Sequence, residues 1–449
     1  MYRTIQTHLQ HWKNSPNRLS LLLRGARQVG KTHSIRELGR SFQHLIEVNF
    51  EEQPTVKTFF ERDLDPARIC EALSAFYRTP IRPGETLLFF DEVQACPAAL
   101  QSMRFFHEKM PALHVVAAGS LLEFALSDIP TLGVGRITSL YLYPLSFVEF
   151  IDALGEEKLI ELINNADEQQ PLHPVFHEKL ISLIRIFQII GGLPAAVKHY
   201  VDTHDLNGCA DLIDALIVMY QDDFAKYKKR APVLRLRHAF QSIAYQAGNK
   251  FKYVHVDSDS GSREIKQAVD LIIQAGLAYK VFSSNAQGVP LGAQINEKRF
   301  KILPFDLGIY QRLLGLDPGD AIAENNSDFI NKGASSEIYV GTELIKSTRP
   351  TRRPDIYYWH RETKGSNAEV DYVIQRKQAV IPIEVKAGTR GSMQSLWRFL
   401  ATHAASPYGI RLSMEPFSSY VRQSDGATPT KTVVMPLYAA HRASEYEAK

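Results

Sequence analysis

The chain has 449 residues, enough for two or three domains with separate cores. Apolar residues make up 45%, charged residues 22%, and the formal net charge is +3. These values exclude a disordered or broadly polycationic chain and leave any nucleic-acid surface to be local. Cys70, Cys96 and Cys209 lie far apart, without the spacing of a zinc site or a disulfide framework. The opening stretch "MYRTIQTHLQHWKNS" lacks the apolar core of a signal peptide, and the most apolar stretch, 180–197, is broken by Arg185, Gln188, Gly191, Gly192 and Pro194. The expected location is therefore cytoplasmic, with no membrane span.

The first chemical pattern is "RLSLLLRGARQVGKTHSIREL", an apolar strand, a glycine-bracketed loop and a helical repeat. The loop, Gly25, Ala26, Arg27, Gln28, Val29, Gly30, Lys31 and Thr32, satisfies G-x-x-x-x-G-K-[ST] in full. Its glycines let backbone N–H groups curl round phosphate oxygens at a helix start. Lys31 is expected on the β- and γ-phosphates of ATP, and Thr32 on Mg²⁺. "TLLFFDEVQ" (86–94) supplies the second half, an apolar strand ending in Asp91, for the metal, and Glu92, to polarise the attacking water.

"HLIEVNF" (44–50), "LHVVAAGS" (113–120) and "ITSLYLY" (137–143) are further expected strands, separated by helical patterns. This alternation predicts a parallel sheet covered on both faces, with ligand beyond the carboxyl ends of its strands. Ser120 at one such end is a candidate for the γ-phosphate, with capping of the following helix as the plainer alternative. Arg136 is a candidate arginine finger, in cis or from a neighbouring subunit, or else a surface loop residue.

In the combination GARQVGKT, LLFFDEVQ, AAGSLLEFAL and "GRITSLYLYPLSFVEF", the chain resembles the AAA-type P-loop ATPases of bacteria and archaea with an uncharacterised C-terminal domain. The resemblance implies ATP and Mg²⁺ as cofactors. It also implies that the "GGLP" element sets Pro194 near the base or ribose; from the residues alone this is a helix break. A second arginine sensor of the kind found in ring-forming AAA+ machines is not evident after the sheet domain. The chain is left as a possible homo-oligomer of unspecified number.

Beyond an ATPase domain at 1–150, residues 151–234 read as a helical, lid-like region. It ends in a basic cluster of Lys226, Lys228, Lys229 and Arg230, a solvated face or a phosphate contact. Residues 235–318 read as two helices and a two-stranded hairpin, the order of a winged helix. Arg263 and Lys266 there could meet DNA, although a module packed inside the protein as a nucleotide-sensing lever explains the same pattern. The polar stretch 319–328 marks the expected boundary with a last domain at 329–449.

That domain reads as helix (332–347), three strands (355–360, 368–375, 379–388), helix, and strand (409–414), the order of the PD-(D/E)xK nuclease core. In "AVIPIEVKAG", alternation sends Ile381, Ile383 and Val385 to the core and sets Glu384 and Lys386 together on the other face. Asp371, on the preceding strand, is expected to pair close to Glu384. The two carboxylates are candidate ligands for Mg²⁺ or Mn²⁺, with Lys386 stabilising charge, Glu337 completing the site from the helix, and Glu369 a weaker candidate. The basic residues of "KSTRPTRRP", with Arg376, Lys377 and Arg390, suit a phosphate backbone. The expectation is thus an α/β protein that couples an ATPase to a metal-dependent nuclease-like domain acting on DNA. The alternative is a nucleotide-dependent switch whose last domain recruits a partner and cuts nothing.

Overall fold

The computed structural model describes residues 1–120, 122–128, 135–228, 230–257, 260–318, 332–363, 366–423 and 429–448. The expected boundary at 319–328 and Lys229 lie outside them. Among the described residues the strands form two sheets.

The first sheet is parallel throughout and contains β1 (Ser20–Arg24), β2 (His44–Asn49), β3 (Thr86–Asp91), β4 (His114–Ala118) and β5 (Ile137–Tyr141), in the order β2-β3-β4-β1-β5. Every residue of β3 and β4 is buried, as continuous apolar runs demand of strands covered on both faces. Its helices are α1 (Ile5–Asn14), α2 (Lys31–Gly39), α3 (Pro66–Tyr77), α4 (Pro97–Lys109) and α5 (Leu122–Asp128). One face carries Leu21, Leu23, Leu87, Phe89 and Val116 into a core shared with α1 and α2. The other carries Leu22, Leu88, Phe90, Val115 and Ala117 into a core with α3 and α4.

A helical stretch follows: α6 (Phe147–Ala153), α7 (Glu157–Asn165), α8 (Pro174–Ile190), α9 (Pro194–Thr203), α10 (Leu206–Asp223), α11 (Val233–Tyr245) and α12 (Ser262–Gln274). Ser146 and Glu149 close a reciprocal capping box at the start of α6. Then come β6 (Ala278–Ser284), β7 (Ile295–Pro304) and α13 (Leu307–Leu313). The chain ends with α14 (Lys332–Lys346), β8 (Ile356–Thr363), β9 (Ser366–Arg376), β10 (Ala379–Val385), α15 (Gln394–Thr402), β11 (Tyr408–Ser413), β12 (Ser418–Arg422) and β13 (Thr430–Pro436).

The second sheet is mixed, in the order β12-β13-β11-β10-β9-β8-β6-β7. The β6–β7 hairpin, read as the wing of a winged helix or as part of a module packed inside the protein, pairs in parallel with β8 through β6, Val281 standing opposite Ile356. An apolar hairpin edge has unpaired backbone groups, and joining a neighbouring sheet satisfies them. The middle of the chain and its C-terminal third therefore share one sheet.

Strand β10 is also more enclosed than simple alternation implied. Ile381, Ile383 and Val385 pack with Ile338 and Tyr339 of α14. On the opposite face Val380 packs with Leu396 and Phe399 of α15. Glu384 follows Val380 on that second face by alternation and is only 6% exposed, among Asp371, Lys386 and Glu337, where alternation alone left a solvated side.

Candidate functional site

The strand order explains how the nucleotide-type site assembles. β4 separates β1 from β3, so the ends of β1, β4 and β3 converge at one rim of the sheet. The loop Gly25–Gly30 leaves β1 there and α2 begins at Lys31. Gly25 has φ 146°, and a Cβ there would overlap the Leu142 carbonyl oxygen. Gly30 has φ 96° at the helix start, a left-handed conformation that suits glycine.

Lys31 is buried, and its Nζ donates to the carbonyls of Gly25 (2.9 Å) and Ala26 (2.7 Å). Burial lowers its pKa to about 8, against the pull of Glu92 and Asp91. Thr32 Oγ1 donates to Asp91 Oδ2 at 3.1 Å. Burial, reinforced by Glu92, pushes Asp91 up to about 6. Glu92 stands in the left-handed region with φ 47°, a strained backbone for a non-glycine residue. Burial alone would raise it too. Hydrogen bonds from Gln94 Nε2 (2.6 Å), Ser120 N (3.1 Å) and Ser120 Oγ (3.0 Å), with the field of Lys31, bring it below its ordinary value instead. Ser120 thus orients Glu92, and Glu92 is held ionised next to a carboxyl that takes a proton more readily.

Two sequence candidates fare differently. Pro194 opens α9, with its Cγ 3.7 Å from where a Cβ on Gly30 would stand, so the GG-x-P break lies against the loop. Arg136 does not reach the loop of its own chain. It precedes Ile137, which pairs with Ser20 at the start of β1, whereas the loop follows Arg24 at the strand's other end. Five residues of strand separate them, about 16 Å. Arg136 instead pairs with Glu108 of α4 at 3.0 Å.

Sequence reasoning missed several loop contacts. Arg3 Nη1 donates to the Val29 carbonyl (2.9 Å) and Nη2 to the Tyr143 carbonyl (2.7 Å). Arg27 pairs with Asp223 at the end of α10, while Tyr220 OH donates to the Arg27 carbonyl at 2.9 Å. Gly276, in the turn between α12 and β6 with φ 77°, lies so close that a Cβ there would stand 3.3 Å from Ala26 N. A cavity of about 230 Å³ opens beside the loop, lined among others by Gly25, Ser120, Tyr143, Gly276 and Arg353.

The second site forms where β9 and β10 meet. Their antiparallel register runs to Ile383 opposite Tyr372, and Asp371 and Glu384, the next residue on each strand, lie near enough for their charges to interact. Asp371 Oδ2 accepts from Val385 N at 2.8 Å. Glu384 Oε1 accepts from Lys386 Nζ at 2.6 Å, while Glu384 Oε2 is buried without a hydrogen-bond partner. Glu337 on α14 and Glu369 on β9 both meet Lys301 of β7, at 2.8 and 2.5 Å from its Nζ. Lys301 lay outside the sequence candidates, and it is 1% exposed. Burial pushes Glu337 up to about 7 and Glu384 up to about 8, and raises Asp371. Asp371 and Glu384 repel one another, which adds to the rise of Glu384.

The donor set can be tested against a divalent ion by charge and geometry. Counted as ionised, the four carboxylates face two ammonium groups, a formal deficit of two positive charges. Burial answers it by raising Glu337, Glu384 and Asp371 toward the protonated form, and one Mg²⁺ or Mn²⁺ would supply the charge instead. The orphaned Glu384 Oε2 offers a hard oxygen. Among the described residues no group of three or more His, Cys, Asp or Glu side chains is spaced to hold a metal ion. That leaves Asp371 and Glu384 as the candidate ligands, two carboxylates that would need water and phosphate oxygens to complete a Mg²⁺ shell.

The basic residues that the sequence offered for a phosphate backbone are partly spoken for. Arg376 bonds the Tyr446 carbonyl and Glu447, and Lys226 pairs with Asp223 at 3.1 Å. Arg349, Arg352, Arg353 and Arg390 are exposed, as are Arg263 and Lys266.

Residues 17–151 match a family described as an AAA domain. Residues 182–320 and 332–436 match two domains of unknown function, DUF8612 and DUF4143. No curated protein is similar enough in sequence to count as a relative. Among solved structures, the chain is similar to the Orc1 protein of Aeropyrum pernix in complex with DNA, at 12% identity and TM-score 0.28, over 70% of this chain and 93% of that one. It is also similar to unliganded Pif1 from Bacteroides sp, at 12% identity and TM-score 0.19, over 37% and 49%. Overlap that weak carries no argument here. The amino-terminal unit is an AAA-type P-loop domain, and among the described residues no helix is long and apolar enough to cross a membrane.

Proposed function

We propose that the chain is a Mg²⁺-dependent ATPase whose C-terminal α/β region, PD-(D/E)xK-like in its order of elements, cleaves phosphodiester bonds in DNA. Lys31 and the loop N–H groups bind the β- and γ-phosphates, and Thr32 and Asp91 hold the metal shell. Mg²⁺, when bound, neutralises charge developing on the phosphates. Glu92 accepts a proton from the attacking water; the water oxygen bonds to the γ-phosphorus and the bridge to the β-phosphate breaks. Ser120 keeps the Glu92 carboxylate aimed and charged. Pro194 borders the base or ribose.

At the second site Asp371 and Glu384 would hold Mg²⁺ or Mn²⁺, which polarises the scissile phosphate and acidifies a water when bound. Lys386 steadies the negative charge on the attacked phosphate. Arg390, exposed on the turn that follows Lys386, supplies positive surface for the backbone. The observation that supports this reading is that, where β9 and β10 adjoin, the charges of Asp371 and Glu384 interact and Lys386 donates to Glu384.

The test is cleavage of end-labelled DNA in Mg²⁺ or Mn²⁺ by the native chain and by Glu384→Ala, with phosphate release from ATP followed in parallel. Cutting by the native chain alone, with equal ATP turnover in both, is expected. Intact ATP turnover with no cutting of any DNA or RNA would leave a nucleotide switch whose last domain only binds.

A further inference from the structure

Lys301 is the feature of the C-terminal cluster that the nuclease-like sequence pattern does not contain. It comes from β7, in the middle of the chain, and reaches the cluster because β6 joins the large sheet beside β8. Its ammonium is anchored by carboxylates from two elements, Glu337 Oε1 on α14 at 2.8 Å and Glu369 Oε1 on β9 at 2.5 Å. The Tyr358 ring lies 5.2 Å from Nζ, and Asp371 is close enough to feel its charge. A lysine so enclosed cannot swing out to solvent to make room, since its stem is packed in the sheet.

Many phosphodiester-cleaving sites hold two divalent ions about 4 Å apart, sharing carboxylates between them. In this chain the carboxylates that would serve the second ion already converge on a fixed positive charge. We propose that Lys301 Nζ occupies the place of a second divalent ion, so that the cluster takes one metal, at Asp371 and Glu384, and no more. The proposal rests on the metal-dependent reading of this cluster. It assigns Lys301 as a positioning residue: it holds Glu337 and Glu369 away from the metal and leaves Asp371 between the ammonium on one side and the ion on the other. The arrangement accounts for the absence, among the described residues, of any three-carboxylate metal group despite four acidic side chains in one cluster.

The test counts Mn²⁺ ions bound to the full chain without nucleotide, from the free-ion electron paramagnetic resonance signal at millimolar Mn²⁺. One ion is expected for the native chain, none for Asp371→Asn combined with Glu384→Gln, and two for Lys301→Met. Two ions in the native chain, or one in Lys301→Met, overturn the proposal while leaving a metal-dependent nuclease intact. Failure of the underlying reading looks different: no ion in either chain and no cleavage of DNA, which removes both. If Lys301→Met is unfolded as purified, recovery of its circular dichroism on adding Mn²⁺ is the expected result. A chain that stays unfolded at saturating Mn²⁺ contradicts the proposal, because the lysine would then be doing more than supplying charge.

Discussion

Replacing Arg3 by Met tests how the phosphate loop is held. The guanidinium is almost fully buried: Nη1 and Nη2 cap the Val29 and Tyr143 carbonyls, and Nε lies 3.1 Å from Glu149 Oε1. Glu149 in turn accepts from Thr4 N at 2.7 Å and Ser146 N at 2.9 Å, with 7% of its side chain exposed. Met fills most of the volume but leaves a buried carboxylate without its cation and two carbonyls without donors. Removing one member of such a pair costs about 3 to 5 kcal/mol, because the partner's desolvation is no longer compensated. That corresponds to a fall in melting temperature of roughly 10 °C for the ATPase domain. Adding Glu149→Gln removes the stranded charge and keeps an acceptor for one of the two N–H groups, its amide nitrogen facing the other, so the double variant should regain part of the loss. Urea denaturation of the native chain, both single variants and the double gives the coupling directly. Fluorescent nucleotide titration should show weaker binding in Arg3→Met, since the Val29 carbonyl loses its tether. A single variant within about 0.5 kcal/mol of native, or strictly additive losses, would refute the reasoning.

Three further outcomes follow from the two sites. Glu92→Gln should keep nucleotide binding but lower the ATP hydrolysis rate by about a hundredfold or more, read as phosphate release at saturating ATP; a rate within threefold of native removes Glu92 from the chemistry. Glu384 is pushed up to about 8 from an ordinary value of 4.5, so the folded chain keeps a proton that the unfolded chain gives up in between. Without metal, the native chain should therefore lose stability relative to Glu384→Gln as pH rises from 4.5 through about 8, in denaturation series at constant ionic strength; parallel pH profiles, or a native chain that gains, contradict the burial argument. Gly25→Ala should abolish soluble expression or nucleotide binding, because its Cβ would overlap the Leu142 carbonyl oxygen; a variant that binds nucleotide normally shows that the loop tolerates the side chain.

What the sequence revealed and what it hid divide along physical lines. The loop Gly25–Thr32 was legible because its chemistry is local: glycine spacing, a strand before and a helix after. The nearness of Asp371 to Glu384 was legible because a short turn sets β9 against β10, in a register that runs to Tyr372 opposite Ile383. A finger role for Arg136 within its own chain does not follow from its motif position, which does not say at which end of a strand a residue stands; the pairing of Ile137 with Ser20 sets it at the far rim. Arg3, Gly276 and Lys301 left no local pattern to follow. Arg3 reaches the loop from 26 residues away, and Lys301 meets Glu337 across 36, through a sheet that joins two parts of the chain read as separate. The enclosure of Glu384 was hidden for a related reason, since the groups around it come from other elements, Asp371 on β9 and Glu337 on α14.

The most direct test of the account is a crystal of the full chain grown with Mn²⁺ and a non-hydrolysable ATP analogue, with anomalous scattering used to locate the metal. Manganese is predicted at two places: beside the triphosphate, within reach of Thr32 and Asp91, and between the carboxylates of Asp371 and Glu384. Density for the nucleotide metal with none touching both Asp371 and Glu384 would contradict the two-site claim and leave an ATPase alone.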